Sequence, residues 1–189
     1  MPMPMFATQR SQQLRQEFAE LPRHHALYVF VEEHERLLGF LSRLDDLIEE
    51  YRDEVGTPRA REVAREIGQL AKNLIAAEPH HAREEQLLFP ALEACDISLP
   101  PRIMRMEHHE LRLLKAKLAA AAAVEHPDSE EIAEIAGTLS ARLRDHIGKE
   151  NEVLYPIALD VLGDPAIWTA MVPSLRQIGP CDWSKELFV

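Results

Sequence analysis

The chain has 189 residues, a net charge of −11 and 28% charged residues. This length is enough for one domain with a sizeable hydrophobic core. The acidic balance argues against nucleic acid as a partner, because the phosphates would be repelled. No apolar run reaches the roughly 18 residues of a membrane span, and residues 1–16 lack a signal-peptide core. We therefore expect a soluble, cytoplasmic protein that does not bind nucleic acid or membranes.

The composition favours an all-α fold. Only seven residues are glycine, and long stretches are rich in Leu, Ala, Glu and Arg, which are good helix formers. Residues 1–21 are interpreted as a lead-in with a short helix near 11–19. Pro22 can begin the first long helix, because the first helical position tolerates the missing N–H. This helix is predicted to end near residue 54, and His34 lies in its apolar seam.

A second helix is predicted from Thr57 and Pro58, which form an N-cap and first-turn signal. It extends to about residue 94, and we expect a kink at Pro79 because proline breaks the hydrogen-bond ladder. The third helix begins at Pro100. Its apolar seam contains His108, whereas His109 shares a face with arginines and is predicted to face solvent.

The fourth helix is predicted from about residue 129 to 159, with His146 and Glu150 in its core stripe. A short fifth helix follows, and the tail with Trp183 is expected to fold back onto the bundle. The short connections predict antiparallel neighbours and hence an up-down-up-down four-helix bundle. We therefore divide the chain into a lead-in (1–21), the bundle (22–160), and a C-terminal helix and tail (161–189).

One sequence fragment occurs twice, at residues 80–90 and 146–156. In each copy a histidine is followed by a glutamate four residues later, then by Leu, an aromatic residue and Pro. Residues at i and i+4 share one face of a helix, and imidazole with carboxylate suits iron, zinc or manganese. A buried carboxylate is costly unless it is paired or binds a metal. The repeat therefore predicts a metal site.

Counting residues from the predicted turns places metal-type side chains of all four helices at a similar depth. His34 lies 20 positions before Glu54, and His80 lies 22 positions after Pro58. At about 1.5 Å per residue these depths agree within about one turn. The predicted metal ligands are His34, His80, Glu84, His108, His146 and Glu150.

In this hypothesis each of two irons has two terminal histidines, and both glutamates bridge the metals. The first two helices would serve one metal and the last two the other. A second register on the second helix, His81 with Glu85, has the same spacing and stays open. Met104 lies one turn before His108 and is interpreted as a packing residue. The metal near His108 and His146 would then have one protein ligand fewer.

The arrangement of one His, then HxxxE, then His, then HxxxE resembles the hemerythrin-like (HHE cation-binding) family in its bacterial di-iron form. The resemblance covers about residues 24–160 and is strongest at 80–90, 103–110 and 145–156. It implies an antiparallel four-helix bundle with a non-haem di-iron centre. Similar bacterial proteins are proposed to repair iron–sulfur clusters and to respond to nitric oxide. The paired-cysteine module of the cluster-repair proteins is not recognisable in this sequence.

The function expected from these patterns is binding or sensing of O₂, NO or peroxide, in oxidative or nitrosative stress or iron homeostasis. The alternatives are a small di-iron oxidase or peroxide-consuming enzyme, and an iron storage or donor protein. The expected cofactor is two iron ions with a small bridging ligand such as oxo or hydroxo, for which zinc or manganese could substitute. A protein partner would be needed by a donor, and the sequence does not fix the oligomeric state.

Overall fold

The computed structural model describes residues 5–124 and 128–188. The described residues form helices joined by short connections and contain no strand, so the predicted all-α fold is confirmed. The helices are α1 (Met5–Ala19), α2 (Ala26–Asp53), α3 (Pro58–Ile75), α4 (Glu78–Arg83), α5 (Phe89–Glu93), α6 (Leu99–Ala122), α7 (Ser129–Lys149), α8 (Tyr155–Val161) and α9 (Pro165–Ile178). Two π-helical segments, π1 (Glu84–Leu88) and π2 (Glu150–Leu154), join α4 to α5 and α7 to α8.

Four helical rods form the bundle. The rods are α2, the series α3–α4–π1–α5, α6, and the series α7–π2–α8. Helix α2 packs against α3 and α7, and α6 packs against the same two helices. Consecutive rods are therefore neighbours, as the up-down-up-down topology requires. In the part of the chain that the structure describes, no helix is long and apolar enough to cross a membrane.

The start of the first rod differs from the prediction. Pro22 does not begin the helix: α2 begins at Ala26, and His25 is its N-cap. The His25 Nδ1 atom accepts a hydrogen bond from the Leu27 N–H at 3.2 Å, which satisfies one of the unpaired donors of the first turn. At the second rod, Thr57 and Pro58 act as predicted, since the Thr57 side chain accepts from the Ala60 N–H.

The interior contains two hydrophobic clusters at different depths. On α2, the cluster nearer the N-terminus ends at Val31 and the other begins at Leu37. On α6, Met104 belongs to the first cluster and Leu111 to the second. The predicted ligands lie where the clusters meet, so the fold encloses a polar layer between two apolar ones.

The segments before and after the four rods pack against the bundle. Phe18 of α1 is buried and meets the Tyr155 ring edge-on, with centroids 6.2 Å apart. After α9, the tail folds back as expected: the Trp183 Nε1–H donates to the Asn73 carbonyl at 3.0 Å. The Trp183 ring also packs edge-on against Phe40. The chain beyond the four rods therefore contributes to the buried interior.

Candidate metal centre

Proline shapes both copies of the repeated fragment. Pro90 and Pro156 lie six residues after Glu84 and Glu150, and proline cannot donate to the carbonyl four residues before it. The backbone adapts by one wide turn: the Phe89 N–H bonds the Glu84 carbonyl, and the Tyr155 N–H bonds the Glu150 carbonyl. Such π-turns concentrate at functional sites. Each ligand glutamate is thus the first residue of a π segment, a feature that the sequence analysis missed.

The structure brings all six predicted ligands into one buried layer, together with His81. Every one of these seven side chains is at most 2% exposed. They form two groups in which the potential ligand atoms lie within 4.8 Å of one another. The first group is His34, His80, Glu84 and Glu150, and the second is His81, His108 and His146.

His81 alters the predicted division of ligands between the helices. The second rod serves both groups, because His80 belongs to one and His81 to the other. Adjacent helical residues point about 100° apart, so two neighbouring histidines can face two different metals. The second group therefore has three imidazoles rather than two, and His81 is a candidate for the protein ligand that the prediction left missing.

Glu84, and not Glu85, is the acidic partner inside the layer. Glu84 Oε2 lies 3.4 Å from His80 Nε2 and 3.4 Å from His108 Nε2. Glu85 is only partly buried and accepts a hydrogen bond from His108 Nδ1 at 2.7 Å. His109 is exposed, as predicted.

The glutamates are not equivalent. Glu150 Oε2 lies 3.2 Å from His34 Nε2 in the first group, and Glu150 Oε1 lies 3.3 Å from His146 Nε2 in the second. In contrast, Glu84 Oε1 accepts a hydrogen bond from the Tyr155 hydroxyl at 2.6 Å. Glu150 thus offers one oxygen to each group, while Glu84 has one free oxygen facing both.

In four of the five imidazoles, the ring is oriented by a hydrogen bond from Nδ1 to an oxygen acceptor outside the ligand layer. His80 Nδ1 donates to Glu33, His108 Nδ1 to Glu85 and His146 Nδ1 to Glu107, at 2.7 to 2.9 Å. His34 Nδ1 donates to Asn151 Oδ1 at 2.8 Å. Carboxylate and amide oxygens can only accept, so each Nδ1 carries a proton and, in the neutral ring, the Nε2 lone pair faces the interior. This is the usual outer arrangement around metal-binding histidines.

The unpartnered atoms fit a cation. Among the described residues, the buried polar atoms without a hydrogen-bond partner include Glu84 Oε2, His108 Nε2, His146 Nε2 and both carboxylate oxygens of Glu150. Leaving such an atom unpaired costs about 1–3 kcal/mol, and these five converge on one small volume. All are nitrogen and oxygen donors, the set that suits iron, zinc or manganese. The residues present therefore fit a two-metal site.

Without metal, the same layer is an electrostatic cluster. Burial alone raises the pKa of Glu150, but the imidazoles of His146, His108 and His34 hold it well below its usual range. Burial lowers the pKa of His108, yet the carboxylates around it raise it well above its ordinary value. Charge on the imidazoles thus compensates the carboxylates, which is the role that a cation would take.

His81 behaves differently. Burial and then the charges of Lys115 and His108 hold its pKa well below the ordinary value. Its Nδ1 atom has no hydrogen-bond partner among the described residues, and Glu78 Oε2 is 3.8 Å away. His81 is therefore a neutral imidazole, the form that binds metal.

The fold and the site together define a cation-binding four-helix bundle. Residues 25–158 match the hemerythrin HHE cation binding domain, which is more than half of the chain. The chain belongs to this family, as the resemblance predicted. A comparison with curated proteins finds no relative that matches the chain.

Proposed function

We propose that this protein is a non-haem di-iron protein whose buried centre binds a small ligand such as O₂, NO or peroxide. The observation that supports two metals most directly is the position of Glu150. Its two unpaired oxygens face different ligand groups, at 3.2 Å from His34 and 3.3 Å from His146. A single structural zinc takes four ligands, and seven converging side chains exceed that number.

In this proposal the two groups hold one metal each. The first metal would have two imidazoles and the second three, with Glu150 shared between them. When bound, the irons would supply open coordination positions and redox chemistry for a diatomic molecule or peroxide. The first site has fewer imidazoles, so we expect the small ligand to bind there.

Tyr155 is the residue that defines the space beside the first group. Its hydroxyl is 2.6 Å from Glu84 Oε1 and 3.4 Å from His34 Nε2, and its ring stacks on His34 with centroids 5.5 Å apart. Burial and then the charge of Glu84 raise its pKa well above the ordinary value. Tyr155 therefore keeps its proton and donates a hydrogen bond to Glu84, and so orients this carboxylate in a site that is closed to bulk water.

Anaerobic titration with ferrous iron, followed by metal analysis, tests the proposal. We expect two irons per chain and a visible absorption band after oxidation. Glu150→Ala should lose much of both irons, because each group loses an oxygen ligand. Glu84→Ala should also lose iron, and His109→Ala, in which only an exposed imidazole is removed, should keep both irons. Saturation of the unmodified protein at one metal per chain would reject the two-metal proposal.

A further inference from the structure

The last ten described residues form a strap across the bundle. Helix α9 ends at Ile178, and Gly179 turns the chain with a φ of +86°. We call residues 179–188 the C-terminal strap. Besides the contacts of Trp183, the Arg36 guanidinium donates to the Trp183 carbonyl and to the Glu186 carboxylate. The strap lies outside residues 25–158, the span matched by the family.

The strap reaches a buried ion pair. Ser184 is fully buried, and its hydroxyl donates to Glu33 Oε1 at 2.7 Å. The Gly179 carbonyl accepts from the Arg83 guanidinium, and the Phe188 ring lies under that guanidinium at 5.0 Å. Glu33 and Arg83 are themselves fully buried and paired with each other. The strap therefore touches both members of the pair.

The ion pair in turn holds a metal ligand. Glu33 Oε2 accepts from His80 Nδ1 at 2.9 Å and from Arg83, while Glu33 Oε1 accepts from Ser184. One carboxylate oxygen thus faces the ligand histidine and the other faces the strap. A rotation of Glu33 that follows the loss of Ser184 would also move the acceptor away from His80.

The other oriented imidazoles do not depend on the strap. The acceptors for His34, His108 and His146 are Asn151, Glu85 and Glu107. All three acceptors lie on the rods of the bundle, and among the described residues none is bonded to the strap. The dependence is confined to His80 and therefore to the first ligand group.

From these contacts we propose that the C-terminal strap is part of the metal centre. Ser184 and the Gly179 carbonyl are positioning groups: they fix Glu33 and Arg83, which fix His80, and so tighten the metal held by the first group. The inference rests on the proposed two-metal function. It assigns the site a component from outside the matched domain, and it predicts that the two metals differ in how they respond to changes at the C-terminus.

The test uses the full-length protein, loaded with ferrous iron, and compares Ser184→Ala with Ser140→Ala. Ser140 is also a buried serine, and its hydroxyl accepts from Arg144 on α7, away from the ligand acceptors. Loss of an outer partner of a metal ligand typically lowers metal affinity 10–100-fold. Ser184→Ala keeps Glu33, the outer partner of His80, but removes the contact that fixes it. One iron per chain should therefore be released to a ferrous chelator faster, by at most about 10–100-fold, and the other at the unmodified rate. Ser140→Ala should release both irons as the unmodified protein does.

Melting temperatures separate positioning from simple packing. If the strap only packs, Ser184→Ala lowers the melting temperature of the iron-loaded and iron-free proteins by the same amount. If it positions His80, the gap between the two forms shrinks. Ser184→Thr, which keeps the hydroxyl, should restore most of the gap. Equal shifts of both forms, or unchanged iron release, would overturn the proposal.

Arg36→Gln gives a second route should Ser184→Ala fail to fold. Arg36 anchors the strap from a partly exposed position and contacts none of the ligand residues. It should accelerate release of the same iron to a smaller extent, and no acceleration would overturn the proposal. An unmodified protein that never binds two irons would instead reject the proposed function, so the two failures are distinguishable.

Discussion

His81 offers a sharp test of the site, because its replacement should act in opposite directions on metal binding and on stability without metal. The variant is His81→Leu, which replaces one buried side chain by an apolar one of similar size. The second ligand group keeps His108 and His146 but loses its third imidazole. We expect the iron content to fall from two to one per chain.

The effect on the metal-free protein follows from the contacts of His81. Removing its unpartnered buried nitrogen should stabilise the fold by about 1–3 kcal/mol. Losing its stacking on His108, with centroids 4.0 Å apart, should cost about 0.5–1.5 kcal/mol. The net expectation is a gain of roughly 1 kcal/mol, or a rise in melting temperature of about 2–4 °C for a chain of this size.

Metal analysis and thermal unfolding by circular dichroism, with and without iron, give both numbers. His109→Leu is the matched control, because it alters the second histidine of the His108-His109 pair, which is exposed. The control should keep two irons. The reasoning is refuted if His81→Leu retains two irons, or if the metal-free variant loses several kcal/mol, since His81 would then be a packing residue.

Three further outcomes are expected. Burial and the charge of His24 lower the pKa of His25 to about 4, so as the pH decreases from about 6.5 to 4 the unfolded chain binds a proton that the native state does not, and the protein loses stability. His25→Asn keeps a cap acceptor, and its melting temperature should depend less on pH over that range. Parallel pH profiles of the variant and the unmodified protein would contradict this. Tyr155→Phe should keep two irons but lower stability by about 1.5–3 kcal/mol, through loss of a hydrogen bond to a carboxylate; loss of iron would instead show that the hydroxyl is needed to hold metal, either directly or by orienting Glu84. Removing iron from the unmodified protein should lower its melting temperature by several degrees, because metal binds only the folded ligand set; equal melting would place the metal on the surface.

Helical periodicity was sufficient to predict the four rods and their antiparallel order. The repeated HxxxE spacing and the depth count selected side chains that the structure places in one layer, because regular helices of known rise convert sequence position into height. Helix starts were less predictable. Proline is common in the first turn of a helix, which favoured a start at Pro22. The actual N-cap is His25, which accepts through its ring nitrogen, and histidine is not among the usual N-cap residues.

The missed features depend on irregular backbone or on contacts distant in sequence. Helix α3 ends at Ile75 and α4 begins at Glu78, so a face assigned by counting along one continuous helix does not extend to His81. The repeated Pro90 and Pro156 could have signalled the π-turns, since proline removes a donor at the same place in both copies. No local pattern links Ser184 to Glu33, which lies 151 positions earlier.

The difference between the duplicated fragments leads to a last prediction, that a histidine on α6 can replace His81. Only the first copy has adjacent histidines, and its extra residue, His81, completes the three-imidazole group. A histidine at position 104 would lie one turn before His108 and on the same face of α6. If the second metal requires a third imidazole from either helix, the double variant His81→Leu/Met104→His should regain the second iron that His81→Leu loses. Met104→His alone should bind no additional iron, because His81 already provides the third imidazole of the second group.

The stability of the metal-free protein limits how well a histidine at position 104 can replace His81. Met104 is 4% exposed and belongs to the apolar cluster on one side of the ligand layer, so a histidine there must find a partner for its second nitrogen. Without iron, the double variant should be less stable than His81→Leu by about 1–3 kcal/mol, and iron should recover much of that difference. The contrary outcome is a double variant that folds, binds only one iron, and is stabilised by iron no more than His81→Leu is. It would show that a side chain at position 104 does not reach the second group, and that the third imidazole must come from the second rod.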